Sequence, residues 1–171
     1  MQRLIFLDDA DQADALGYHE LTPDGLPQGK VFVATTLKDG ENPTVTASHE
    51  LLEMLADPNI DQTAIRAPAN HAYALEVCDA VEETTYLIDG ITVSNFQTPA
   101  WFGNPFIPSG YDYLRQCKRP WQLLKGGYAS VQENGDWTQI FGSLVAADHF
   151  SLARKWRGAA RVSGVRRKST R

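Results

Sequence analysis

The chain has 171 residues, of which 43% are hydrophobic, 10% aromatic and 22% charged, a composition that can bury one core without disulfide or metal staples. Its formal charge of −5 hides an asymmetry. No acidic residue follows Asp148, whereas Arg154, Lys155, Arg157, Arg161, Arg166, Arg167, Lys168 and Arg171 do, so a body of −13 carries a tail of +8. The first residues turn acidic at Asp8-Asp9, too early for a signal peptide. No stretch has the roughly 18 apolar residues that cross a membrane. Cys78 and Cys117, neither in a CxxC pair, do not make a disulfide framework and are expected as two buried thiols. These features predict a non-membrane protein used inside a cell or carried by a particle assembled there. The predicted division is a domain over 1–150 and a basic tail over 151–171.

In chain order, Arg3 to Leu7 reads as a short strand and the acidic, Ala-rich Asp8 to Leu16 as a helical turn or two. Pro23-Asp24-Gly25 marks a turn, and the β-branched Lys30 to Thr36 a central strand. Thr44 to Asp57 is free of Gly and Pro and rich in Leu, Glu, Met and Ala, so it is predicted as a helix. Thr44 or Thr46 is its expected N-cap, and Asp57-Pro58 stops it. With Leu51, Leu52, Met54 and Leu55 around it, this helix is expected to be buried, its polar groups gathered at His49, Glu50 and Glu53. Tyr73 to Val81 can be helix or strand. Thr85 to Ser94 and Tyr128 to Phe141 read as hairpins turning at Asp89-Gly90 and Asn134-Gly135. The predicted fold is α+β, a small, mostly antiparallel sheet packed on the buried helix.

The chemistry concentrates in His49-Glu50-Leu51-Leu52-Glu53, an HExxE sequence. Positions i and i+4 share a helical face, so a His49 nitrogen and a Glu53 oxygen can meet one metal ion at roughly 2.0–2.2 Å. Glu50, about 100° around the helix, borders that ion where a general base for metal-bound water belongs. A second acidic pair, Glu76 and Asp79, follows. If Tyr73 to Val81 is helical, the two share a face, and similarity to thermolysin-like zincins would divide between them the roles of third ligand and histidine-orienting carboxylate.

The segments Thr46 to Pro58, Tyr73 to Glu82 and Val93 to Phe102 resemble a group of short zincin-like proteins associated with tailed phages and prophages. The resemblance spans roughly residues 16–102. It implies a zincin-like fold with His49 and Glu53 as ligands, Glu50 as catalytic acid/base and Glu76 or Asp79 as the downstream ligand. The implied activity is metal-dependent hydrolysis of a peptide or protein. The alternative is a non-catalytic virion or assembly protein on the same scaffold. Glutamate in place of the second histidine makes the ligand shell richer in carboxylate. Zinc is the expected metal, and such a shell also admits Mn²⁺ or Ca²⁺.

Other residues carry weaker signals. His71 is a second candidate ligand, His19 and His149 are isolated, and Tyr73 and Tyr86 are candidates to stabilise an oxyanion. The aromatic loop Asn95 to Phe102 can line a substrate groove, pack the core or meet another subunit. The basic tail, with Trp156 its one aromatic, suits a nucleic-acid backbone. It equally suits an acidic protein surface such as a phage structural subunit, or a solvated terminus.

Overall fold

The computed structural model describes residues 2–12, 15–104 and 110–142. Among the described residues, three small sheets, two α-helices and one 3-10 turn make a mixed α+β fold in which antiparallel pairing dominates. In the first sheet β3 (Pro27–Phe32) is central, parallel to β1 (Arg3–Leu7) and antiparallel to β2 (Gly17–Leu21). The second runs β4 (Thr63–Arg66), β5 (His71–Ala74), β8 (Tyr128–Glu133), β9 (Asp136–Phe141). The third is the ribbon β6 (Thr85–Ile88) and β7 (Ile91–Ser94). The expected single sheet is thus divided in three.

The first helix, α1 (Val33–Lys38), occupies half of the segment expected as strand. β-Branched residues favour strands only weakly, and local bonds override them: the Asp8 carbonyl accepts the Ala34 and Thr35 amides at 2.8 and 3.2 Å. The Thr36 hydroxyl bonds back to the Phe32 carbonyl at 2.7 Å. Residues 8–12 of the acidic segment before β2 form bends rather than helix.

The second helix, α2 (Pro43–Ala56), begins one residue before its expected start. Its N-cap is Asn42, whose side chain accepts the Thr44 amide at 3.1 Å, with Pro43 in the first turn; neither Thr44 nor Thr46 caps it. Proline there loses nothing, because its missing N–H would be unpaired anyway. The helix packs on β2, β3 and β7. Thr44 Oγ1 donates to the Thr92 carbonyl at 2.6 Å, and the Ser94 amide donates to Ser48 Oγ at 2.8 Å. Two glycines let the first sheet approach it. A Cβ on Gly17 would stand 2.5 Å from Thr46 Cγ2, and one on Gly29 would stand 3.0 Å from Met54 Cε.

The larger apolar cluster lies around β5 and β8, and a smaller one of Ala15, Tyr18 and Phe32 lies at the first sheet. Tyr73, Val81, Trp101, Ala129 and Val131 pack together with Phe102, Trp121 and Leu124 at their margin. The ring centroids of Tyr73 and Trp121 are 4.7 Å apart, and those of Trp101 and Trp121 are 5.4 Å apart. The Trp101 indole N–H is satisfied by the Gln122 carbonyl at 2.8 Å, as a buried indole requires.

Candidate metal centre

Helix α2 turns its polar face inward. His49, Glu50 and Glu53 are fully buried, whereas Leu51 and Leu55 are 42% and 59% exposed. The expectation of a buried helix holds for its gathered ionisable residues and for Met54, and fails for Leu51 and Leu55. Spacing explains the choice. Thr46, His49, Glu50 and Glu53 lie along one stripe, and that stripe faces β2 and the chain that follows β5.

The chain after β5 is neither helix nor strand at the acidic pair. It runs as an extended strap through Glu76 and turns once in a 3-10 helix, Asp79–Val81. Glu76 and Asp79 therefore do not share a helical face. Each reaches the centre by its own route, Glu76 from the strap and Asp79 from the first residue of the turn. Leu75 and Val77, flanking Glu76, point the other way and line an apolar groove of about 530 Å³. Leu52, Leu55, Phe96 and Phe102 complete that groove, and none of its lining residues belongs to the His/Glu cluster. The aromatic loop thus serves two surfaces, with Trp101 in the core and Phe96 and Phe102 on the groove.

Within the centre, Glu53 stands between two imidazoles. Its Oε1 is 3.2 Å from His49 Nε2 and accepts the Cys78 amide at 3.2 Å, while its Oε2 is 3.5 Å from His19 Nδ1. His49 Nε2 is also 3.3 Å from Asp79 Oδ1. His19, on β2, places Nδ1 in a hydrogen bond of 3.0 Å with Glu50 Oε2 and Nε2 3.5 Å from Glu76 Oε2. The donor atoms form two groups able to hold a metal ion, His19–Glu53–Glu76 and His49–Glu53–Cys78. The structure thus brings His49, Glu50, Glu53, Glu76 and Asp79 together and adds His19 and Cys78. Glu76 falls with His19 rather than with His49. Glu82 is buried nearby, and the Tyr128 hydroxyl, on β8, faces Asp79.

His19 was legible only as a lone histidine in a strand. Its one local signal is Gly17 two residues earlier, which marks close backbone approach without saying to what. The other candidates lie elsewhere. His71 is on β5, half-buried, 3.3 Å from Glu133. Tyr73 belongs to the aromatic core, and its hydroxyl accepts from Arg66 at 3.1 Å. Tyr86 packs against Tyr113 with tilted rings, centroids 4.6 Å apart. His149, the eight basic tail residues and the 150/151 boundary lie outside the described residues.

The electrostatics of the metal-free centre are those of crowded carboxylates sharing protons. Burial alone would lower His19, but the carboxylates of Glu76, Glu50 and Glu53 outweigh it and push the imidazole up to about 10. Burial likewise works against the His49 cation, and Glu53 and Asp79 hold it well above the ordinary histidine value. Burial would raise Glu53, yet the two imidazoles keep it below the ordinary carboxylate range. Burial, reinforced by the Glu53 charge, raises Glu76 well above that range and Asp79 to about 7.

The residues fit a divalent cation. Glu50 Oε1, Glu53 Oε2, Glu76 Oε2 and His19 Nε2 are all buried without a hydrogen-bond partner. An unpaired buried polar atom costs about 1–3 kcal/mol, and more when charged, so four converging in one place call for a positive charge among them. Imidazole and carboxylate are ordinary donors for zinc and manganese. Among the described residues no helix is long and apolar enough to cross a membrane. Comparison of the chain with protein-family models, with curated proteins and with solved structures finds no match.

Proposed function

We propose that this is a metal-stapled protein on a zincin-like scaffold, in which a divalent ion fastens α2 to β2 and to the 76–79 strap. The observation that carries the reading is Glu53, fully buried between two histidines, with unpartnered oxygens of Glu50 and Glu76 around it. Zinc is the first expectation, with Mn²⁺ or Ca²⁺ as substitutes. His19, Glu53 and Glu76 would hold it on one side, and His49, Glu53 and Asp79 on the other. Burial supports a fastening role over turnover. Glu50 is sealed from solvent with one oxygen committed to His19, and the nearby groove contains none of the donors. In this reading the chain serves as a virion or assembly component of the phage-associated group it resembles. Its basic tail meets nucleic acid or a neighbouring subunit, a contact that rests on charge alone and predicts binding that weakens steeply with salt.

A second reading, a zincin-like metallopeptidase, is favoured by the position of Glu50 one helical step from the ligand pair. The metal would supply an acidified water and a polarised carbonyl. Glu50 would take the proton and pass it to the leaving amine, once opened to substrate. Chelator-sensitive digestion of casein, lost in Glu50→Gln while metal is retained, establishes the peptidase. Stoichiometric metal, a chelator-dependent melting temperature and no cleavage across diverse peptides establish the staple. A chain that takes up no metal contradicts both.

A further inference from the structure

The two donor groups meet at a single residue, and its two oxygens are divided between them. Glu53 Oε1 faces His49 Nε2, and Glu53 Oε2 faces His19 Nδ1. That is the disposition of a carboxylate that bridges two cations rather than one that chelates a single ion. On the first side stand His19, Glu50 and Glu76; on the second stand His49, Asp79 and Cys78.

Charge points the same way. Glu50, Glu53, Glu76 and Asp79 are all at least nine-tenths buried, and as carboxylates they carry four negative charges. One divalent ion would leave two of these uncompensated in the interior, and three once Cys78 binds as thiolate, whereas two ions cancel all but one of the five. Four carboxylates and two histidines is also the donor inventory of dinuclear carboxylate centres in unrelated helical proteins. Independent of the four, Glu82 is buried with neither of its oxygens hydrogen-bonded, and burial holds its carboxyl well above the ordinary range, in favour of the neutral acid.

We propose that the centre is dinuclear, with Glu53 bridging one divalent ion held by His19, Glu50 and Glu76 and another held by His49, Asp79 and Cys78. The inference rests on the metal-binding reading above and extends it from one ion to two. The two sites differ in chemistry. The His19 side offers one nitrogen and carboxylate oxygens, which suit Mn²⁺ as well as Zn²⁺. The Cys78 sulfur makes the His49 side softer and favours Zn²⁺.

The test is a titration of the metal-stripped full chain with Zn²⁺ alone, followed by elemental analysis after gel filtration. Two equivalents are expected for the wild type, one each for His19→Gln and His49→Gln, and none for Glu53→Gln. One equivalent in the wild type overturns the second site while leaving the metal reading intact; none overturns both. Should the histidine variants not fold, saturation of the wild type with Co²⁺, which accepts thiolate as well as nitrogen and oxygen donors, decides. Magnetic coupling between two bound ions is expected, because ions in two-metal sites lie about 3.5–4 Å apart. Saturation at one Co²⁺ per chain, or two ions without coupling, overturns the proposal.

Discussion

The molecule has two interiors of opposite chemistry, and the segment of residues 75–81 contributes to both. On one side Tyr73, Val81, Trp101 and Val131 make an apolar core whose polar atoms are paired, the Trp101 N–H with a carbonyl and the Tyr73 hydroxyl with Arg66. On the other, His19, His49, Glu50, Glu53, Glu76 and Asp79 are as deeply buried, yet several of their atoms have no hydrogen bond. The first interior stabilises by removing apolar surface from water, which needs no ligand. The second is costly as it stands, and a cation held there would offset that cost. Stability in one half should therefore be independent of solution metal, and stability in the other should follow it.

The largest effect is expected at Glu53. Glu53→Gln removes the charge that pairs with both histidines, costing about 3–5 kcal/mol as any broken buried pair does; chemical denaturation read beside metal content checks it, with metal lost as well. Trp101→Ala should cost a comparable ~3–5 kcal/mol through the cavity it opens, but metal bound per folded chain should not change. If Trp101→Ala also emptied the centre, the two interiors would not be separable.

A smaller effect follows from pH. The metal-free His19 imidazole, raised to about 10 by its carboxylates, contributes stability that is full below the unfolded histidine value of 6.5. That contribution is lost as pH rises through about 10. Melting temperatures of metal-free protein should therefore fall between pH 7 and 10. The metal-loaded protein should show the opposite trend on acidification, since protons displace the metal from neutral imidazole and carboxylate. Parallel profiles with and without metal would contradict the assignment of His19 to the centre. The smallest effect is at Leu55, exposed on the outer face of α2. Leu55→Gln should change stability by no more than about 0.5 kcal/mol, whereas a helix buried by its leucines would lose several times that.

Local rules made much of this legible from the sequence. The hairpins turn where Asp89-Gly90 and Asn134-Gly135 place them, with φ of 50° and 83° in the first and 52° and 92° in the second, the left-handed pair that a type I′ turn requires. The HExxE stripe lies on a helix, and Glu76 and Asp79 do join it. What stayed hidden is non-local. Nothing near His19 tells that β2 crosses α2 at Gly17, and the strand's first three residues are all buried, so no alternation marks its face. Of the two readings open for residues 73–81, strand holds at Tyr73 and Ala74; beyond them the strap takes its bonds from elsewhere, the Gln97 amide donating to the Val77 carbonyl at 2.6 Å and Glu53 accepting the Cys78 amide. Counting leucines on α2 misled for a related reason. Hydrophobic count decides burial only when the polar stripe has nothing to face, and here it faces two more elements carrying ionisable groups.

The −13 of the body is accordingly not all surface charge, since four of its carboxylates point at one another inside. Elemental analysis of purified wild-type protein, set beside Glu53→Gln prepared identically, tests this account most directly. Tightly held divalent metal in the wild type, removed by chelator with a fall in melting temperature and absent from the variant, is the predicted result. A wild type that folds without metal, ignores chelator and melts no higher when Zn²⁺ or Mn²⁺ is added would contradict it.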